Sequence, residues 1–446
     1  MNYVPHTPDD LAAMYTAVGI KAPEELFSDI PTSLSIGGEE TVPGPLSELE
    51  LAAHLQAIAD QNRLPELTFL GGGAYRHYVP AAVDAVLSRG EFLTSYTPYQ
   101  PEVSQGNLQA AWEYQSLMAA LVGMDVVNAS LYDGATAAAE AMLMCVRSTG
   151  RREVLVSDTV HPHIREVLAT YATANGLILH ALPRENGVTS RTALGDALND
   201  AIAGVLMQSP NFFGLLEDFT GLAELIHRQG ALFAPGFTEA IALGMIAPPG
   251  DFHADIVWGE GQSLGVPLSF GGPGLGIIAC RKDLARKLPG RIVGRTVDTD
   301  GRPGFVLTLQ AREQHIRREH STSNICSNHA LSALAAAVYL SIVGKTGLQS
   351  VAELNFHHAH AVKEKLLALT GRGSKVFTDV FPGPFFNEFV IHTAQAARLH
   401  TTLFKKGIAF GIPLEPWYSE LTDCLLVTVT ELHRRADIDR LIEELV

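Results

Sequence analysis

Asp125-Val126-Val127-Asn128-Ala129-Ser130-Leu131-Tyr132-Asp133-Gly134-Ala135-Thr136-Ala137 joins a strand to a helix through a tight turn. Val126-Val127 is a short strand-type run, Asp133-Gly134 is a turn signal, and a helix begins at Ala135. The same alternation continues down the chain. Strand-type runs at 153–156, 177–182, 205–207, 232–233, 254–258 and 275–279 alternate with helical patterns at 164–174, 192–202 and 221–227. Such alternation predicts an α/β fold whose seven-stranded, mostly parallel sheet is covered on both faces. Outward from this core, residues 1–90 read as a helical N-terminal arm. Thr7-Pro8-Asp9-Asp10 is a helix start, and Ser47 with Glu50 forms a capping box. Residues 104–121 predict a long helix stopped by Gly123. On the far side, a helix over 327–343 leads to a small C-terminal α/β unit with strands at 389–391 and 425–429 and helices at 400–406 and 435–445. The expected domains are 1–90, 91–330 and 331–446, with the Gly/Pro-rich stretch 289–304 as a mobile connection.

The 446 residues suit two to three domains of roughly 150 residues, and 47% apolar content suits large buried cores. Against 48 Asp and Glu there are 32 Lys and Arg, a net charge of −16 that repels phosphate backbones and anionic lipid. Nucleic acid and membrane are therefore poor partners. Cys145, Cys280, Cys326 and Cys424 form no C-x-x-C pair, which suits a reducing cytoplasm. Residues 1–10 lack the basic start and apolar run of a signal peptide. After Lys21 the next lysine is Lys282. Between 281 and 320, by contrast, ten basic residues face five acids, a local +5 suited to an acidic partner or to ion pairs in an oligomer interface.

Several short motifs compete for the chemistry. Gly261-Gln262-Ser263-Leu264-Gly265 fits the nucleophile elbow of a serine hydrolase with Ser263 as nucleophile, but Val266-Pro267-Leu268 follows where a helix should begin. Gly344-Lys345-Thr346 lacks the first glycine of a P-loop, and the His161/His163 and His357/His358/His360 spacings have no acid or thiol pair to complete a metal site. Asp133, Gly134 and Thr136 open a helix, where free N–H groups and the helix dipole can hold a phosphate. The order of elements around them resembles the fold-type I group of pyridoxal phosphate (PLP) enzymes. In that plan His161, after the next strand, lies near the cofactor ring.

The longest distinctive strings are more specific. Gly90-Glu91-Phe92-Leu93-Thr94-Ser95-Tyr96-Thr97-Pro98-Tyr99-Gln100-Pro101-Glu102-Val103-Ser104-Gln105-Gly106, Gln208-Ser209-Pro210-Asn211-Phe212-Phe213-Gly214, Pro289-Gly290-Arg291-Ile292-Val293-Gly294 and the run 307–319 closing at Thr322-Ser323-Asn324-Ile325-Cys326 resemble the glycine cleavage system P-protein, subunit 1. One departure is His320-Ser321, where that family more often has Lys-Ala. The resemblance implies glycine decarboxylation on PLP and transfer of the aminomethyl group to the lipoyl group of a carrier, the H-protein. It also implies a Schiff-base lysine after a late strand, yet Asp255-Ile256-Val257-Trp258-Gly259-Glu260-Gly261-Gln262-Ser263-Leu264 has none. The run Leu232-Phe233-Ala234-Pro235-Gly236-Phe237 offers no acid for the pyridine nitrogen either. The chain is accordingly expected to be the non-lysine subunit. Asp133, Gly134, Thr136 and His161 then line a remnant pocket, and a homologous subunit 2 binds PLP covalently. Tyr96 and Tyr99 are the expected catalytic contribution across the interface, and Arg317, Arg318, Ser323 and Asn324 the interface or carrier-facing residues. A purely structural PLP-fold scaffold is the remaining alternative.

Overall fold

The computed structural model describes residues 5–34, 43–371 and 374–445. Two compact units emerge, Met1–Leu64 and Pro65–Val446. The first holds the helices Pro8–Val18 and Glu48–Ala59, each opened by a reciprocal capping box, Thr7 with Asp10 and Ser47 with Glu50. No residue of either helix is buried. The expected arm to residue 90 is thus shorter. Residues 65–90 are built into the second unit, because Leu67–Phe69 pairs in parallel with Ile408–Phe410 and the helix Ala81–Leu87 contributes Val83 to the main core.

The second unit is organised on seven strands: β1 (Val126–Val127), β2 (Glu153–Ser157), β3 (Ile178–Leu182), β4 (Ile202–Gln208), β5 (Leu232–Phe237), β6 (Ile256–Glu260) and β7 (Gly276–Cys280). Their order is β1-β7-β6-β5-β4-β2-β3. β7 runs antiparallel to both neighbours, and the remaining ladders are parallel. Successive residues point to opposite faces and both faces are covered. Phe233, Val257 and Ile277 pack into one cluster, while Ala234, Trp258 and Ile278 pack into the other beneath the helix Gly134–Thr149. That is why these strands read as unbroken apolar runs instead of alternating ones. The helix expected over 192–202 stops at Ala197, since Asn199 Oδ1 accepts from the Ala201 amide and turns the chain into β4.

The stretch 289–304 is not a loose connection. Ile292–Val297 and Pro303–Thr308 form an antiparallel hairpin whose Val293, Phe305 and Leu307 pack on Leu108 of the helix Gln105–Val122. Ala330–Ala368 is a 39-residue helix with a break at Gly344, where φ is 59°. By length and composition it is the one helix among the described residues able to cross a membrane, and much of its first part, Ser332 to Ala337 with Tyr339 and Leu340, is buried core. Beyond it, Thr378–Asp379, Glu388–His392, Cys424–Thr428 and Ile412–Pro413 form a four-stranded antiparallel sheet, in that spatial order, with the helices Ala396–Lys405 and Arg435–Leu445.

Candidate functional site: the carboxyl edge of the sheet

In a parallel sheet of this kind ligands meet the carboxyl ends of the strands, where helix N-termini point. Here that edge is filled by the chain itself. Asp133 caps the helix Gly134–Thr149 by accepting from Thr136 N and Thr136 Oγ1, both at 2.7 Å. Glu260, the last residue of β6, turns its carboxylate into the same helix start and accepts from Gly134 N at 2.8 Å, Gln262 N at 2.9 Å and Leu275 N at 2.8 Å. Burial holds the Glu260 carboxyl above the usual carboxylate range, against the three amides that pull it down. Asp133, Gly134 and Thr136 therefore do come together, with the Gly134 and Thr136 N–H groups already bonded to carboxylates.

His161 caps the helix Pro162–Asn175, its Nδ1 accepting from His163 N at 3.1 Å while Nε2 donates to Gly72 O at 2.7 Å. Phe212 meets the imidazole edge-on at 4.7 Å, and burial pushes its pKa down to about 4. The ring is thus a neutral cap enclosed by the Gly72 loop and Phe212.

Sequence reasoning missed the cluster beside it. Gly71-Gly72-Gly73 leads a segment across the strand ends, and His77 from this segment bonds Glu239 through Nε2 at 2.9 Å and Glu431 through Nδ1 at 2.8 Å. Its side chain is 2% exposed. Burial alone would lower the imidazole pKa, but the two carboxylates outweigh it and raise it to about 10. Tyr75 OH donates to Glu388 Oε2 at 2.6 Å, and Glu388 also accepts from Gly72 N and Thr428 Oγ1. Burial raises Glu388 to about 6. Glu239, the first acid after β5, further accepts from Asn387 Nδ2 and Ile241 N. The only sequence signal was the glycine triplet ahead of Tyr75 and His77, since partners more than 150 residues away leave no local pattern.

These residues do not fit PLP. The helix start at Gly134 is bonded to Glu260, the acid nearest the end of β5 is committed to His77, and no lysine stands in 261–264. Ser263 is no hydrolase nucleophile either: it is 2% exposed, and its Oγ accepts from Ala240 N at 3.2 Å. The rest of the expected site lies apart. Tyr96 is 89% exposed on a loop pinned by Arg291, whose Nη2 donates to Thr97 Oγ1 at 3.0 Å and Cys326 O at 2.9 Å. Tyr96 and Arg291 line a cavity of about 50 Å³ with Phe92 and Leu331. Tyr99 is also exposed and meets His315 edge-on at 6.2 Å. Arg317, Arg318 and Asn324 are exposed, whereas Ser323 turns inward and donates to the buried Glu140 at 2.8 Å.

The glycine cleavage system P-protein family model matches residues 1–445. The chain belongs to that family. It is 49% identical over 443 residues to a protein of Moorella thermoacetica and 47% identical over 446 residues to one of Anoxybacillus flavithermus. Each match covers 99% of this chain and 98% of the relative, and both relatives are named probable glycine dehydrogenase (decarboxylating) subunit 1. A crystal structure of glycine decarboxylase (P-protein) in inhibitor-bound form superposes with a TM-score of 0.86 at 43% identity, covering 100% of this chain and 99% of the other. A sphingosine-1-phosphate lyase of Burkholderia pseudomallei, with a TM-score of 0.65 at 14% identity over 93% of each chain, shares the fold alone. The P-protein chain described here thus has the fold-type I architecture of PLP-dependent enzymes, with a carboxyl edge that closes on itself.

Proposed function

We propose that this chain is the non-lysine subunit of a glycine dehydrogenase (decarboxylating) in the glycine cleavage system. Its partner is a homologous subunit 2 that binds PLP covalently, and together they decarboxylate glycine and pass the aminomethyl group to the lipoyl H-protein. One observation carries the reading: a chain that matches subunit 1 relatives from end to end has filled its own cofactor edge with carboxylates and placed no lysine there. PLP supplies an electron sink for the carbanion left by decarboxylation. This chain supplies groups that complete the partner's site, in the cytoplasm, where its four free thiols suit a reducing environment.

Co-expression with the neighbouring homologous chain tests this directly. Exchange of CO2 with the carboxyl group of glycine is expected from the pair and from neither chain alone. Borohydride should fix the cofactor to a lysine of the partner only, and recovery of a modified lysine from this chain would overturn the assignment.

Tyr96 is the residue assigned to reach the partner's site, because a tyrosine so exposed beside an apolar cavity has lost nothing by leaving its own chain. Tyr96→Ala should lower kcat of the reconstituted pair at least about tenfold, close to 1.4 kcal/mol in the barrier, with little change in Tm of the isolated chain. An unchanged kcat would favour the scaffold alternative. The exposed Arg317 and Arg318 lie in the +5 stretch and are assigned to the carrier. Rising salt should therefore raise the KM for H-protein while the KM for glycine barely moves, and a flat carrier KM would remove that assignment.

A further inference from the structure

Glu260 does more than fail to leave room. The three amides that meet its carboxylate come from three separate places: Gly134 opens a helix, Gln262 follows β6, and Leu275 precedes β7. Convergence of N–H groups on one point at the carboxyl edge of a parallel sheet is how such sheets hold an anion. The backbone around the point is cut close to the carboxylate. A Cβ at Gly134 would lie 2.9 Å from Glu260 Cβ, and one at Gly274 would lie 3.1 Å from Glu260 Oε2. Asp133 stands beside the same point, a Cβ at Gly274 lying 3.0 Å from Asp133 Cβ, and its charge works against that of Glu260, so the amides and not the surroundings hold the carboxylate there.

We infer that Glu260 is a tethered anion, occupying in this chain the seat where a cofactor-bearing homologue would place a phosphate, so that the fold is complete without any cofactor. The inference concerns the isolated chain and goes beyond the subunit assignment. Loss of CO2 exchange in the pair would not touch it, and its failure would leave that assignment standing.

The test is chemical rescue of thermal stability in the purified full chain. The probes are acetate and, at mildly acidic pH where it is largely a monoanion, inorganic phosphate, each against chloride at matched ionic strength. The wild-type Tm should not respond to either probe beyond the chloride control. Glu260→Ala should start several degrees lower and climb saturably with acetate and with phosphate, regaining most of the loss. Glu260→Gln keeps the volume but sets a donating Nε2 against at least one of the three amide N–H groups, so it should melt below wild type and show no rescue, its seat being filled. Four results would overturn the inference: saturable stabilisation of wild type by phosphate, an alanine variant indifferent to both anions, one that answers acetate but not phosphate, or a glutamine variant as stable as wild type. If Glu260→Ala is recovered unfolded, refolding in either acetate and phosphate alike or phosphate alone supports the inference, and failure to refold in phosphate counts against it.

Discussion

Replacing His77 by Gln is expected to cost about 3–5 kcal/mol of stability, the range for removing one partner of a buried ion pair. Glu239 and Glu431 approach the two imidazole nitrogens at 2.9 and 2.8 Å, and without the cation two buried carboxylates face each other across its place. Urea-induced unfolding of the full chain near neutral pH measures the loss. The sign of the pH dependence follows from the direction of the shift. His77 is raised from its ordinary value of 6.5 to about 10, so its contribution is complete below the unfolded value and disappears as the pH climbs through the folded one. On the acid side, burial pushes Glu431 up but His77 outweighs it and holds the carboxyl below its usual 4.5, so that contribution is lost as the pH falls. The gap between wild type and His77→Gln should therefore be widest between these limits and shrink toward pH 10. A gap that stays constant up to that pH would show that the imidazole is not the charged centre of the cluster.

Gly236→Ala should destabilise the chain by about 3 kcal/mol or more, at the upper end for overpacking a core. Gly236 of β5 stands opposite Trp258 of β6, and an added Cβ would lie 2.2 Å from Trp258 Cδ2 and Cε2. The indole has no freedom to retreat, because its Nε1 donates to Ala234 O at 2.9 Å and the ring is fully buried. Gly195→Ala is the matched control: it lies within the helix Arg191–Ala197, and its Cβ would meet nothing within 4 Å. That change should be neutral or stabilising by up to about 1 kcal/mol. The double variant Gly236→Ala with Trp258→Phe should recover part of the loss by freeing volume. If Gly236→Ala proves as harmless as the control, the close packing of the two strands is not what fixes this face of the sheet.

Much of the site's frame was legible in the residues. The Asp133-Gly134 turn marked the helix start that became the anion seat, and the apolar runs placed six of the seven strands within a few residues of where they lie, β5 being seen only at its first two positions. The helical pattern at 164–174 marked the helix whose cap His161 became. The 289–304 stretch misled, because its glycines and prolines mask one strand of a hairpin whose Val293 packs on Leu108 together with Phe305 and Leu307 just beyond the stretch. The inward turn of Ser323 toward Glu140 could not be foreseen, since the two are 183 residues apart in the chain.

Three things are readable from the order of residues: the alternation of strand and helix, the absence of a lysine between residues 22 and 281, and membership in the P-protein family. Each is written in local order: periodicity, residue identity and ungapped strings need no knowledge of what lies opposite. Which group answers which is settled in three dimensions. Gly134 and Glu260 are 126 residues apart, and His77 and Glu431 are 354 apart. A free helix N-terminus and one already bonded to a carboxylate have the same sequence. Apolar burial is set residue by residue, whereas a buried charge or amide must find one particular partner, and the crossovers of the sheet choose it.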